Sequence, residues 1–269
     1  ERRGIAGAGN WIIDRIYICD FWPGEETLAN ILSEARGTGG APYNCLLNIA
    51  RFGLDEGRGP IPLEAIGLIG DDENGRAIQS DCAAHGIDAS SLLVCAEAPT
   101  SYTNVMVVKE TGKRTFFHNR GANAMFGAEH VPVDKIKARL VHFGYLLLLD
   151  RMDAADDEFG TTAARILKQF QDAGIETSID AVSEDSDRFA QIVKPVLKYT
   201  DYAILNEFEA GKTTGHDLKP DGKVDIEAVR ASARELLDLG VGKLVCVHMP
   251  EGGYVLTADG AEFWQPSLQ

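Results

Sequence analysis

An α/β fold built on a doubly wound, mostly parallel sheet with helices on both faces is predicted by three features of this 269-residue sequence. Short β-rich runs alternate with segments of helical periodicity, the runs are apolar enough to be buried on both faces, and several helical segments stop at a glycine, as a left-handed C-cap requires. In chain order, residues 4–13, 65–69, 140–145, 176–180, 202–205 and 243–247 are predicted strands. Residues 44–52, 75–85, 161–173, 187–198 and 225–239 are predicted helices. Two segments break the alternation. Residues 15–38 and 101–119 have the pattern of exposed strand pairs, the second with the turn Lys109-Glu110-Thr111-Gly112-Lys113 between its arms. They predict a small β-sheet lid, which is either a cover for a ligand or a plain edge hairpin. With no linker, internal repeat or low-complexity tract, residues 1–269 are expected to form one domain.

Composition narrows the function. A hydrophobic share of 45% and a charged share of 25% suit a globular chain with a sizeable core. The formal net charge of −15 opposes a phosphate-backbone interface, so no nucleic-acid partner is expected. The cysteines, Cys19, Cys45, Cys82, Cys95 and Cys246, are scattered and include no Cys-x-x-Cys pair, which argues against zinc or a redox couple and for reduced thiols in a cytoplasmic protein. No run approaches the roughly 18 apolar residues of a membrane span, and the start of the chain lacks a signal-peptide core, so no membrane partner is expected.

The most informative motif is Gly39-Gly40-Ala41-Pro42-Tyr43-Asn44, which opens a predicted helix after an extended stretch. Paired glycines let a backbone approach a ligand, Pro42 suits a first helical turn, and Asn44 offers both a donor and an acceptor; glycine pairs before a helix are more often just a tight turn. Asp14, at the end of the first predicted strand, can accept two hydrogen bonds from vicinal hydroxyls, or simply cap a turn. Asn206 ends another strand and Glu209 follows one helical turn later, so the pair either converges on a site or forms a capping box. Gly70-Asp71-Asp72-Glu73-Asn74-Gly75-Arg76 lacks the Lys-Ser/Thr of a phosphate loop and reads as an acidic helix N-terminus. Gly7-Ala8-Gly9 lacks the third glycine of a dinucleotide site. The histidines show no zinc-protease spacing and read as structural or surface groups, with His248 at a strand end the exception.

Taken in order, these pieces resemble the ribokinase-like (PfkB) family of carbohydrate kinases over nearly the whole chain. The matching stretches are Gly9-Asn10 with Asp14, Gly39-Gly40 with Asn44, Ile66-Gly67-Leu68-Ile69-Gly70-Asp71-Asp72 with Gly75, and Gly112-Lys113-Arg114 followed by Gly121-Ala122-Asn123. Asp180 and Asn206 with Glu209 complete the series. The resemblance implies ATP-dependent, Mg²⁺-assisted phosphorylation of a sugar or related polyol. A catalytically silent sugar-binding or regulatory protein of the same fold is the alternative. It implies substrate contacts at Asp14, Gly39, Gly40, Asn44 and Asn123, nucleotide or phosphate contacts at Asn206, Glu209 and Gly253, and Mg²⁺ held through water by Glu209. Selectivity is expected to rest on side chains around Tyr102 to Asn104 and on Arg114. A homodimer through the lid is also implied, with Phe21-Trp22-Pro23 as an apolar anchor or, alternatively, as a lid contact to substrate.

The chain departs from the family pattern at Leu46, where a small residue is usual, and in a longer spacer at residues 54–62. It also reads His248-Met249-Pro250 where the nucleotide-side loop usually has Thr-x-Gly, with Glu251-Gly252-Gly253 restoring the later glycine. The family's Gly-Ala-Gly-Asp motif, which supplies the general base, is expected beyond Gln269, in a C-terminal part of the fold absent from this sequence, so the gene product is expected to continue.

Overall fold

The structure is a computed structural model that describes residues 2–55, 57 and 59–268. In chain order its strands are β1 (Ile5–Gly9), β2 (Ile12–Cys19), β3 (Ile31–Gly39), β4 (Leu63–Gly70), β5 (Ile87–Cys95), β6 (Tyr102–Val108), β7 (Arg114–Asn119), β8 (Leu140–Leu146), β9 (Ala155–Asp156), β10 (Gly160–Thr161), β11 (Glu176–Ala181), β12 (Tyr202–Asn206), β13 (Leu244–Met249), β14 (Gly252–Thr257) and β15 (Glu262–Pro266). The helices are α1 (Ala41–Phe52), α2 (Glu73–Ala84), α3 (Gly121–Met125), α4 (Asp150–Asp153), α5 (Thr162–Asp172), α6 (Phe189–Leu197), α7 (Glu207–Thr214) and α8 (Ile226–Asp238).

The main sheet runs β15-β14-β13-β12-β11-β8-β1-β4-β5. All pairs from β5 across to β13 are parallel, and β14 and β15 add an antiparallel edge. Strand β4 shows why both faces must be covered. Leu63, Ala65 and Ile69 pack in one apolar cluster with Tyr43 and Leu46 of α1 and Ile78 of α2, whereas Ile66 and Leu68 join the larger cluster under α5, α6 and α8. The period of two thus carries alternate residues into opposite layers, as a doubly wound sheet demands. Leu46, an oddity against the family pattern, is fully buried in the first cluster. Chain order reverses at β1, which lies between β4 and β8, so the crevice outside the carboxyl ends of β1 and β8 is the topological switch point where such sheets take ligands.

One predicted strand is corrected. Residues 4–13 do not form a single strand: β1 stops at Gly9, and β2 leaves the main sheet from Ile12. The cause is Trp11, which is completely buried, donates its indole N–H to the Ile66 carbonyl at 2.9 Å and meets Tyr43 edge-on at 6.2 Å. Seating that ring turns the chain out of the sheet, and β2 then pairs antiparallel with β3 and parallel with β6, which pairs antiparallel with β7. The second sheet has the order β3-β2-β6-β7 and starts at Ile12, three residues before the predicted lid. Asp14 therefore belongs to a lid strand and does not end a strand of the main sheet.

The acidic loop at residues 70–76 caps α2, as its sequence suggests. The Asp72 carboxylate accepts from Gly75 N–H at 2.8 Å, Thr100 N–H at 2.8 Å and the Thr100 hydroxyl at 2.6 Å. Burial works to raise its pKa, but these donors outweigh it and hold the group below the usual carboxylate range. Asp72→Ala is expected to cost about 1–2 kcal/mol of unfolding free energy at neutral pH, because a cap and a tether to Thr100 are lost together. Urea denaturation checks this. The wild-type advantage is present above the unfolded-state pKa and should fade as pH falls through the lowered folded-state value, so an equal deficit at all pH values would contradict the carboxylate's role.

Candidate active site

A cavity of about 500 Å³ opens between the lid and the carboxyl ends of the main-sheet strands. On one wall, Asp14 of β2 stands against the end of β3. A β-carbon on Gly39 would lie 2.1 Å from Asp14 Oδ2, so only glycine lets the carboxylate rest on this backbone. Gly40, at φ 99°, starts α1 and sits so close to the Asn10 carbonyl that a β-carbon there would be 2.0 Å from its oxygen. Pro42 then falls in the first helical turn, where its missing N–H costs nothing, and Asn44 closes the first helical bond through its N–H to the Gly40 carbonyl at 3.0 Å. The Asn44 side chain lines the cavity and makes no hydrogen bond among the described residues.

The lid supplies the roof. Asp14 is the register partner of Thr103, and Thr103 of His118, so three polar residues from neighbouring strands form one rung, and all three line the cavity. Thr103 Oγ1 and His118 Nδ1 are 2.9 Å apart, while His118 Nε2 is buried without a partner in the protein. Burial, with the nearby Arg120 charge, lowers the His118 pKa to about 4, so at neutral pH the ring is uncharged. Along β7 the alternation also brings Phe116 and Arg114 to this face.

The opposite wall comes from the ends of β8, β11, β12 and β13, through Tyr145, Asp180, Asn206 and His248, with Ser183 and Glu209 beside them. Asn206 and Glu209 do both things that their spacing allows. They form a capping box, with Glu209 N–H donating to Asn206 Oδ1 and Asn206 N–H to Glu209 Oε2, each at 2.9 Å, and both also line the cavity. Asn206 Nδ2 and the Ser183 hydroxyl donate to Glu209 Oε1 at 2.7 and 2.8 Å. Burial nevertheless dominates and pushes the Glu209 pKa up to about 7. Asp180 is raised well above the usual carboxylate range by burial and then by the Glu209 charge, and Asp14 is raised by burial. Three carboxylates that resist ionisation in one cavity favour a ligand that brings hydroxyl donors to one end and a cation to the other.

A family model described as pfkB family carbohydrate kinase matches residues 5–267. The chain belongs to this family. It resembles the ATP-dependent ribose-1-phosphate kinase of Halopiger xanaduensis, with 28% identity over 184 residues, an alignment that covers 68% of this chain and 55%, about half, of the relative's length. Among solved structures, the ribokinase of Giardia lamblia superposes with a TM-score of 0.79 at 19% identity over 98% of this chain and 76% of its own. The Arabidopsis thaliana ribokinase complexed with ribose and ATP gives 0.71 at 16% identity over 99% and 78% of the two chains. At these identities the structural likeness speaks for the fold.

Within this pfkB chain, the residues expected to serve the site are only partly brought together. Asp14, Gly40, Asn44, Asn206 and Glu209 line the one cavity, with Gly39 directly behind Asp14. Asn123 does not reach it: the side chain is fully buried and spends its amide on the Trp11 backbone, with Nδ2 donating to the carbonyl at 3.2 Å and Oδ1 accepting from the N–H at 3.4 Å. It locks the β1–β2 turn beneath the cavity. Gly253 lies across the β13–β14 ladder from His248, outside the lining. Of the expected selectivity residues, Thr103 and Arg114 line the cavity while Tyr102 and Asn104 do not. His118, Tyr145 and Ser183 were not foreseen. Among the described residues no group of three His, Cys, Asp or Glu side chains could hold a metal ion alone, and no helix is long and apolar enough to cross a membrane.

Proposed function

We propose that the protein transfers the γ-phosphoryl group of ATP to a hydroxyl of a sugar or related polyol, with Mg²⁺. The observation that carries this reading is the arrangement of two chemically different ends in one cavity: Asp14 and Asn44 at the switch point, suited to hydroxyls, and Asn206 with Glu209 across from them. Asp14 receives two vicinal hydroxyls and Asn44 a third, and the lid rung of Thr103 and His118 excludes water above them. Mg²⁺ would neutralise charge on the transferring phosphates. Both Glu209 oxygens already accept protein hydrogen bonds, so that residue suits contact with the ion through water. The acceptor oxygen bonds to the γ-phosphorus as the bond to the bridging oxygen breaks, ADP departs with that oxygen, and the hydroxyl proton leaves to a general base. The bulky exposed Phe21, Trp22 and Phe117 on the lid support a homodimer through that sheet, which a strictly monomeric sedimentation profile would remove.

Calorimetry of the protein with Mg·ATP, in buffers of different ionisation enthalpy, tests the cation end. Glu209 titrates near pH 7 in the ligand-free fold, and a nearby cation favours the carboxylate, so up to about one proton should be released on binding near neutral pH. The release should shrink as pH rises past the folded value, where the group is already ionised, and be smaller in Glu209→Gln. Sugar binding with no ATP binding would replace the kinase reading with that of a silent sugar-binding protein.

A further inference from the structure

A network of arginines and carboxylates lies behind the cavity wall, at the root of the lid. Arg120 joins β7 to α3, and its carbonyl accepts from the hydroxyl of Ser101, the residue before β6, so two lid strands are rooted at this point. Its Nη1 donates to the Leu147 carbonyl at 3.0 Å and to Asp150 Oδ1 at 2.7 Å, and its Nη2 donates to Glu184 Oε2 at 3.4 Å. From the other side Arg188 donates to both Glu184 oxygens, at 2.7 and 2.6 Å, and to the Leu147 carbonyl at 3.1 Å. Leu147 has a φ of 77°, where an L side chain is strained, and Asp153 accepts from the N–H groups of Leu147 and Leu149, each at 3.1 Å. The carbonyl and amide sides of this turn are thus both pinned, and Leu148 is presented to the cavity.

Resting on the kinase reading above, we propose that Glu184 is a positioning residue that ties the root of the lid to the cation end of the cavity. Residues 182–188 belong to no strand or helix, so side-chain ties decide where this segment sits. Glu184 and its neighbour Ser183 serve different partners. Glu184 meets Arg120 and Arg188, whereas the Ser183 hydroxyl accepts from Asn206 Nδ2 at 2.7 Å and donates to Glu209 Oε1 at 2.8 Å. A shift of Glu184 therefore moves the donor that Glu209 depends on. The distances mark the joint in this path: bonds of 2.6 and 2.7 Å fasten Glu184 to Arg188 at the start of α6, while the 3.4 Å contact leaves the Arg120 side slack. Another tie of the segment, Asp185 to Lys212 at 3.2 Å, is solvent-exposed and contributes little. Mg·ATP at Glu209 then steadies the lid, and a ligand under the lid steadies Glu209 to the same degree, because coupling between two sites is reciprocal.

The test reads amide hydrogen exchange in β6 and β7 with and without Mg·ATP, no sugar being present, beside the Mg·ATP affinity from calorimetry. Mg·ATP should slow exchange of these lid strands by roughly 5-fold or more, the lower end of ordinary coupling between sites. Glu184→Gln keeps the shape and removes the charge, and it should abolish most of that protection while Mg·ATP still binds. Ser183→Ala, at an exposed residue, breaks the path at its other end and should do the same. Arg120→Lys should keep part of the protection, since a point charge can still meet Glu184. Adding Glu184→Gln to Arg120→Met should remove little more than Arg120→Met alone, because both act through one contact. A purely structural Glu184 would lower the melting temperature and speed lid exchange equally with and without Mg·ATP. An unchanged Mg·ATP-dependent difference in Glu184→Gln therefore overturns the proposal. Mg·ATP that binds the wild type without slowing lid exchange overturns it alone, whereas absence of Mg·ATP binding removes the kinase reading and the proposal with it.

Discussion

Replacing Asp14 by asparagine is expected to lower kcat/KM for the sugar acceptor by roughly 10²- to 10³-fold, the loss of two charge-assisted hydrogen bonds to substrate hydroxyls. The same change should leave the folding free energy unchanged or slightly raised. Asp14 gains no hydrogen bond or ion pair from the protein among the described residues, and burial already disfavours its charge. The carboxylate is held against Gly39 for the benefit of a ligand, and the neutral amide removes a desolvated charge of nearly the same shape. Steady-state kinetics and urea denaturation on the same preparation separate the two effects. A fall in stability with kinetics intact would make Asp14 a structural residue. A fall in both would point to a collapsed β2–β3 junction.

The three acids differ in what surrounds them, and this assigns their ends of the cavity. Asp14 has no internal donors and waits for hydroxyls. Glu209 is saturated by Asn206 and Ser183, so its environment is fixed before any ligand arrives. Asp180 lies between, at the end of β11, raised by burial and by Glu209 with a single backbone N–H of Ala181 acting against the shift. A cation near Glu209 would relieve the repulsion felt by Asp180, so the two groups should respond together to Mg·ATP. Tyr145, whose phenol is pushed up by burial and by all three acids, stays protonated and available as a donor among them.

How far the sequence reveals this site depends on how local each piece is. The Gly39–Asn44 loop is legible because turn geometry and a first-turn proline act within a few residues, and the Asn206–Glu209 pair because a capping box has a fixed spacing. The parallel sheet is legible from its buried apolar runs. His118 and Thr103 are not, because they meet Asp14 only through the parallel pairing of β2 with β6 and the register of β6 on β7, long-range choices that no short motif encodes. The run at residues 4–13 looks like one strand because burial of Trp11 under Ile66 is a tertiary event. The edge strands β5 and β15 carry too many exposed positions to read as buried runs. Asn123, expected as a substrate contact only through the family resemblance, serves the backbone of Trp11.

The second large effect is expected at Gly40. In Gly40→Ala the new β-carbon would sit 2.0 Å from the Asn10 carbonyl oxygen, on a residue whose φ of 99° is strained for any L side chain. Neither neighbour can yield cheaply: Asn10 is fully buried, its N–H donates to the Gly144 carbonyl at 2.8 Å, and its Oδ1 accepts from Tyr145 N–H at 2.5 Å. The start of α1 must move away from the β1–β2 turn instead, at a cost of roughly 3 kcal/mol or more. That displacement carries Asn44 away from Asp14, and a shift of about 1 Å in a positioned group can cost on the order of 10²-fold in rate. Gly37→Ala on the neighbouring strand is the matched control, since a β-carbon there meets nothing within 4 Å. Denaturant midpoints should separate the two variants clearly, with Gly37→Ala close to wild type. Equal stability of the two would mean that the close approach of Gly40 to Asn10 does not hold the helix N-terminus in place, and the geometry at Asp14 and Asn44 would then need another support.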